Sequence, residues 1–466
     1  MLTNTLQTPL AQDKLAMFRE KMHKIADDLV DNLAPALLDE KPMTMQEISA
    51  VIEEKKQEFL GPLVTEFVEA HHQDVLDQEF CPCPKCGKLR KAKRQTSRRI
   101  ESRQGPSLIT RQYFLCLECG IGYSPLDDAL ELSRRRKQYD LQRLALDFIA
   151  EMPFERAAEL FSKATGISFS ADTLHDLLVE FTNELTLEEV LPSAEEIAKR
   201  IASVQGSNKR RPVLVVATDG AHVPVRLLPG RKGKRGPGEY HEAKGFRLYL
   251  LGGNRIVQLV SWHQIQQADP CGDALKIVAK LIPVDQVRIA LIGDGAPWVW
   301  RIMAEAFPTG REVLDYFHCS EHIHALAAIQ YANDPLKGLQ WVEATMSRLF
   351  YGEVGHVVGG LQRMNPRNDT AKEEIRKLVN YLKNNSHRID YKHNRAGGYA
   401  IGSGGIESAN KFICHVRLKR SGAWWLDENA NGILALRCAN VNGTLDDAFS
   451  RYVARDRNCS TFGTNS

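Results

Sequence analysis

The chain has 466 residues, 43% hydrophobic and 26% charged, a balance that excludes global disorder and predicts two to four domains at roughly 100–200 residues each. Formal net charge is only +3, so bulk electrostatics select no partner. The opening MLTNTLQTPLAQDKLAMF lacks a basic segment followed by an apolar one, and no run approaches ~18 uninterrupted apolar residues, so neither secretion nor a membrane span is expected and the expected location is the cytoplasm.

Residues 1–80 read as an N-terminal helical region, with apolar residues at helical spacing from about residue 12 onward. They carry 7 Lys/Arg against 16 Asp/Glu, a balance of −9. The sign then reverses. Residues 85–103 carry 9 Lys/Arg against one Glu, the pattern of a polyanion contact. Lys88, Arg90, Lys91, Lys93, Arg94, Arg98 and Arg99 are the candidate phosphate contacts; the plainer alternative is a solvated basic loop. The same stretch opens with Cys83 and Cys86, followed later by Cys116 and Cys119. Two C-x-x-C pairs in a chain without a secretion signal read as metal ligands before disulfides, and four thiolates make a closed Zn²⁺ site. Cys81 is a spare that fits if the register shifts. The long linker between the pairs predicts a protruding basic loop within a metal-binding region over 81–130.

Residues 136–190 turn helical again in three segments, YDLQRLALDFIAEM, FERAAELFSKATG and SADTLHDLLVEFTNEL. Gly166 is placed as a C-cap, and Ser170 and Asp172 as residues that start the next helix. The result is a helix-turn-helix-like pattern, a candidate DNA-binding region. From residue 210 to 325 the elements alternate. PVLVVAT, FRLYLLGG and RIVQLVSWH predict three strands, followed by a helix, the strand RIALIGDG, a helix, the strand REVLDYFH and a helix. That order defines a mixed α/β domain. Residues 326–400 lack strand signals and predict a helical insertion. Residues 401–455 resume with the Gly-rich IGSGGIES and two helical stretches.

Asp219 ends the first strand of this domain and Asp294 the fourth, each followed by a glycine that permits a sharp turn. Ligand sites of α/β sheets lie at strand ends, although an aspartate there also serves as an ordinary turn former. Glu407, in GSGGIESANK, sits in the first turn of a helix, where the helix dipole favours it in any case. Carboxylates suit hard divalent ions such as Mg²⁺ or Mn²⁺, and paired ions clamp the attacking and leaving oxygens of a phosphodiester. Lys411 and Arg417 are further candidate phosphate contacts, while Asp315 is a candidate extra acid or, inside a strand reading, a residue that simply faces solvent. An acid on the first strand, one on the fourth and one on a late helix resemble the ribonuclease H-like fold.

ATDG, GDGAPW, DYFHCSEH, GSGGIESANK and RLKRSGAWW together resemble the signatures of bacterial insertion-sequence transposases of the DDE class. Cys319 and His322 match the C-x-x-H motif of Mutator-like members. CPKCG and YFLCLECGIGYSPLD are similar to the zinc ribbon of one branch. The resemblance spans residues 80–455. It implies an α/β fold: a ribonuclease H-like catalytic domain over 210–325, completed by 401–455 and interrupted by the helical insertion, behind a zinc ribbon and the helical DNA-binding segments. It further implies metal-dependent cleavage and strand transfer at the ends of an insertion sequence, with Asp219, Asp294 and Glu407 as the catalytic and metal-binding acids. Double-stranded DNA, as element end and as target, becomes the partner. A homo-oligomer becomes the working form, nucleoid-associated when bound to DNA. Two other readings stay open: a zinc-ribbon DNA-binding regulator without catalysis, and another ribonuclease H-like nuclease.

Overall fold

The computed structural model describes residues 9–38, 42–183, 185–205, 210–227, 238–252 and 255–460. They divide into two units, Met1–Phe181 with Phe449–Ser466, and Thr182–Ala448.

The first unit begins with helices Pro9–Leu37 and Met45–His71. The second starts at a capping box: Thr44 Oγ1 accepts from the Glu47 amide at 3.3 Å, and the Glu47 carboxylate accepts from the Thr44 amide at 2.7 Å. The pair is held by Phe18 against Phe67, centroids 5.7 Å apart, and by Lys21 with Glu66 at 2.6 Å. Strands β1 (Phe80–Pro82) and β2 (Leu89–Lys91) form a small antiparallel pair. β3 (Arg94–Ser102), β4 (Gly105–Cys116) and β5 (Ile121–Tyr123) form an antiparallel sheet. The linker between the cysteine pairs is therefore largely a hairpin, not the protruding loop that its length suggested. Thr96, Arg98 and Ile100 turn inward while Ser97 and Arg99 face out. Register pairs Ser102 with Gly105, leaving a two-residue turn, and Gly105 holds φ +104°, a conformation costly for any residue with a Cβ.

Three helices follow, Tyr139–Glu151, Phe154–Thr165 and Ala171–Thr182. Gly166 closes the second in the left-handed region at φ 70°, and Ser170 Oγ accepts from the Thr173 amide at 3.0 Å. The last helix of the chain, Leu445–Ser460, contributes its end to this unit. Phe449 and Tyr452 pack against Phe181, and Asp456 accepts from Arg134 at 2.6 Å and from the Tyr139 hydroxyl at 2.7 Å. The sequence reading assigned residues up to 455 to the second unit; no local pattern announces that the chain returns.

The second unit is built on β6 (Val213–Arg226), β7 (Gly238–Gly252), β8 (Arg255–Ile265), β9 (Arg288–Gly293) and β10 (Arg311–Leu314) in the order β10-β9-β6-β7-β8. β6, β7 and β8 are antiparallel in turn, and β9 and β10 run parallel to β6. Residues Val213–Ala217 are buried on both faces, which is why VLVVA reads as a continuous apolar run. Helices Ala268–Ala279, Pro297–Ala306 and Tyr316–Gln330 follow β8, β9 and β10. The helical stretch Pro335–Ala396 comes next, and then Gly404–Ala409 leads into a π-helical turn over Asn410–His415. Among the described residues no helix is long and apolar enough to cross a membrane.

Two local expectations change. Asp219 does not end its strand: β6 continues to Arg226 because its pairing with β7 persists that far, whereas pairing with β9 stops at Ala217. Gly220 is therefore not a turn. It makes room, since a Cβ there would lie 1.9 Å from Glu242 Oε1. Gly295, at φ +109°, does turn the chain after Asp294.

Candidate active site and metal centre

Because β6 outruns β9, Asp219 emerges beside the point where β9 gives way to Asp294. The helix Gly404–Ala409 brings in Glu407. The three acids line one cleft of about 210 Å³ with Thr218, His318, Glu321 and Ser403. Each carboxylate is braced. Asp219 accepts from the Gly220 amide at 2.7 Å and from Asn410 Nδ2 at 2.7 Å. Asp294 accepts from the Ala296 amide at 2.9 Å, and its backbone carbonyl accepts from the Tyr381 hydroxyl at 2.9 Å. Glu407 accepts from Ser403 Oγ at 2.8 Å. Burial, reinforced by the neighbouring charges of Asp294 and Glu407, pushes the Asp219 carboxyl up to about 6. Three mutually repelling acids facing one cavity form a set of hard oxygen donors that suits a divalent cation.

Behind Asp219, Asn410 Oδ1 pairs with His263 Nε2 at 3.0 Å. His263 is fully buried, and burial drives its pKa down to about 4. The neutral imidazole is thus favoured by the fold. As pH falls from ~6.5 toward 4 the unfolded chain takes up a proton that the folded chain refuses, so stability is lost in that window, by up to about 3 kcal/mol. Asp219 works in the opposite direction, since its raised pKa lets the folded chain bind a proton first. Urea unfolding of wild type and His263→Asn across that window separates the two: wild type loses stability relative to the variant as pH drops, and parallel curves refute the assignment.

The C-x-x-H residues lie on helix Tyr316–Gln330, after β10. They point differently. Cys319 is buried, and burial lifts its thiol to about 12. His322 is on the open side, its ring 4.6 Å from Tyr381 and 4.9 Å from His318. Partial burial and the neighbouring His318 hold its pKa below the ordinary value. A chain of contacts therefore runs from Asp294 through Tyr381 and His322 to His318 in the cleft. Asp315 does not face solvent. It is buried and caps this helix, accepting from Phe317 N at 2.6 Å and His318 N at 2.8 Å, and its other oxygen accepts from the Ser403 amide. It thereby ties the loop before Glu407 to β10. Arg417 is 2% exposed with its guanidinium 4.8 Å from the Trp425 ring, so it serves the core and is not open to a phosphate; Lys411 remains exposed. Sequence reasoning missed Ser403, Asn410, Glu321 and Tyr381. Asn410 and Ser403 lie within three or four residues of Glu407, the one signal that pointed to them.

In the first unit, Cys83, Cys86, Cys116 and Cys119 converge, with ligand atoms all within 4.8 Å of one another. Two equivalent turns present them: the Gly87 amide donates to Cys83 O at 2.9 Å and the Gly120 amide to Cys116 O at 2.8 Å, both glycines at positive φ. The cluster could hold a metal such as zinc. Cys81 stands outside it. Among the described residues no other group of three or more such ligands is drawn this close, so the acids stand in a more open arrangement and His318 with His324 forms no second cluster.

The candidate phosphate contacts separate into two classes. Lys88 and Arg90 share Glu118 at 2.6 and 3.0 Å, and Arg98 is bound to Asp127 at 3.0 Å and to backbone carbonyls. Lys91, Lys93, Arg94 and Arg99 are exposed, Arg94 lying 5.5 Å from the Tyr113 ring. The helix-turn-helix-like segment is less suited to DNA. Helix Ala171–Thr182 carries Asp172, Asp176 and Glu180 and no Lys or Arg, a charge that opposes phosphate. No protein-family model matches this chain, and no curated protein matches it.

Proposed function

We propose that this protein is a DDE-type transposase that cleaves and joins double-stranded DNA at the ends of an insertion sequence. The observation that carries the reading is the shared cleft of Asp219, Asp294 and Glu407, drawn from segments far apart in sequence. Positions on the first and fourth strands of one sheet and on a late helix are those expected of a ribonuclease H-like catalytic domain. Asp219, Asp294 and Glu407 would hold Mg²⁺ or Mn²⁺. Bound divalent ions supply Lewis-acid stabilisation of the phosphodiester oxygens and a water of lowered pKa. The chain's own residues would position that chemistry: Asn410 and the Gly220 amide fix Asp219, Ser403 orients Glu407, and Asp315 anchors the loop that leads through Ser403 into the Glu407 helix. No nucleophilic side chain is assigned. The four cysteines would hold Zn²⁺ as a structural ribbon that displays the β3–β4 hairpin.

Incubation of the protein with duplexes that carry the DNA flanking its coding region, searched first for inverted repeats, with Mg²⁺ or Mn²⁺, tests this. Nicking and strand transfer at the repeat ends is the expected result. Binding without cleavage would favour the regulator, and cleavage without transfer another nuclease.

The exposed set on β2, β3 and the residues between them gives a second expectation. Changing Lys91, Lys93, Arg94 and Arg99 to Gln should weaken binding to all duplex sequences and lower the salt slope of affinity by about 3 to 4, near 0.9 per phosphate contact. Changing Lys88, Arg90 and Arg98 should move the slope less, because those charges are already paired. Equal effects from the two sets would overturn the division.

A further inference from the structure

A second cavity, of about 340 Å³, lies at the other end of the same sheet; Arg210, Arg211, Val213, Gly252, Arg288 and Gly398 contribute to its wall. Val213 begins β6, Arg288 begins β9 and Gly252 ends β7. The cavity is thus separated from Asp219 by the Val213–Asp219 stretch of β6, about 20 Å at ~3.3 Å per residue. Among the described residues no carboxylate lines it. Its volume falls within the ~300–1,000 Å³ range of small-ligand sites.

The arginines are arranged rather than scattered. Arg288 Nε donates to Arg211 O at 2.9 Å and Nη1 to Gly397 O at 2.7 Å, and its guanidinium lies 5.1 Å from the Tyr399 ring. These contacts lock the fork and leave Nη2 on the side of Gly398. Gly398 has φ +75°, and a Cβ there would come within 3.9 Å of that nitrogen. Arg211 Nη1 donates to Asp285 O at 2.8 Å, which steadies a second guanidinium. Arg210 and Arg211 are exposed. A purely bracing role accounts for Nε and Nη1 of Arg288. It does not account for three arginines lining one cavity whose described wall holds no acid. Guanidinium forks match phosphate oxygens two at a time, and a dianion would neutralise the cluster.

We propose that this cavity binds a phosphoryl group, carried either by a small phosphate ester or by a polynucleotide backbone. The proposal does not rest on the role of the acids. Full-length protein is titrated in EDTA, where the acid cleft has no cation to attract anions, with pyrophosphate and separately with a short DNA duplex. The variants are Arg210→Ser/Arg211→Ser, whose side chains are exposed, and Arg288→Lys, which keeps the charge and loses the fork. Pyrophosphate affinity falling about tenfold or more in both variants supports a small phosphate ester, since each variant loses charged hydrogen bonds to phosphate oxygens. A loss confined to the duplex supports a backbone phosphate. Unchanged affinity for both ligands in Arg210→Ser/Arg211→Ser, with melting temperature preserved, overturns the proposal.

Discussion

Asp294→Asn is expected to leave fold and DNA affinity intact while cutting strand cleavage by more than the roughly 10–100-fold that loss of a metal's outer-shell partner costs. One Asp294 oxygen accepts from the Ala296 amide, a bond that the amide oxygen of Asn reproduces. What Asn cannot reproduce is the negative charge toward the cleft. Glu407→Gln should behave alike, because Ser403 Oγ can still donate to the new side chain. Asp219→Asn is less clean. Its second oxygen accepts from Asn410 Nδ2, whose own Oδ1 is engaged by His263. Placing an amide nitrogen there sets donor against donor, at a cost of about 1–3 kcal/mol for a buried group left unmatched. Without divalent ions, Asp294→Asn should also stabilise the protein, since it removes one of the charges that raise the Asp219 carboxyl. Cleavage rates and melting curves in EDTA check both halves. Wild-type cleavage by Asp294→Asn or Glu407→Gln would refute the catalytic assignment.

The second large effect concerns the four cysteines. Purified protein should carry one zinc ion per chain, and its removal should unfold the region around β1, β2, β4 and β5. The apolar cluster there consists of Cys83, Cys116 and Ile121, flanked by Cys119 and Tyr123, too few side chains to sustain a fold unaided. Structural zinc supplies about 10–16 kcal/mol in comparable small sites. Cys116→Ser should reproduce the loss, because Cys116 is wholly buried and is the last residue of β4. Metal analysis, and circular dichroism before and after chelation, measure this. Absence of stoichiometric zinc, or an unchanged melting curve after chelation, would show that the thiols act without metal.

Much of the second unit was legible. The run VLVVAT is apolar because β6 is central and covered on both faces, and the alternation of strands and helices through residue 330 follows the observed element order. The cysteine spacing announced its cluster. Other features were hidden by chemistry. Arginines in β3 masked the alternation of Thr96, Arg98 and Ile100, since Arg98 is turned inward and half-buried by its pairing with Asp127. Asp315 read as a surface acid because sequence shows no sign of the amides that bind it. Arg417 read as a phosphate ligand because its stacking on Trp425 depends on tertiary packing. The continuation of β6 past Asp219 is set by a partner strand distant in sequence, so no local window contains it.

The π-helical turn over Asn410–His415 also sets an angular phase. Its wider turn holds more residues than an α-turn, and each residue of an α-helix advances the side chain by about 100°. Glu407 stands before this turn, and Arg417 and Leu418 are buried after it. Forcing regular α-winding on these residues without removing one would rotate one end against the other by roughly one residue, about 100°. With the later residues seated in the core, the rotation would fall on Glu407. The third carboxylate would swing out of the cleft with every ligand residue still present in the sequence. The winding of this turn is thus as much a part of the site as the identity of its acids.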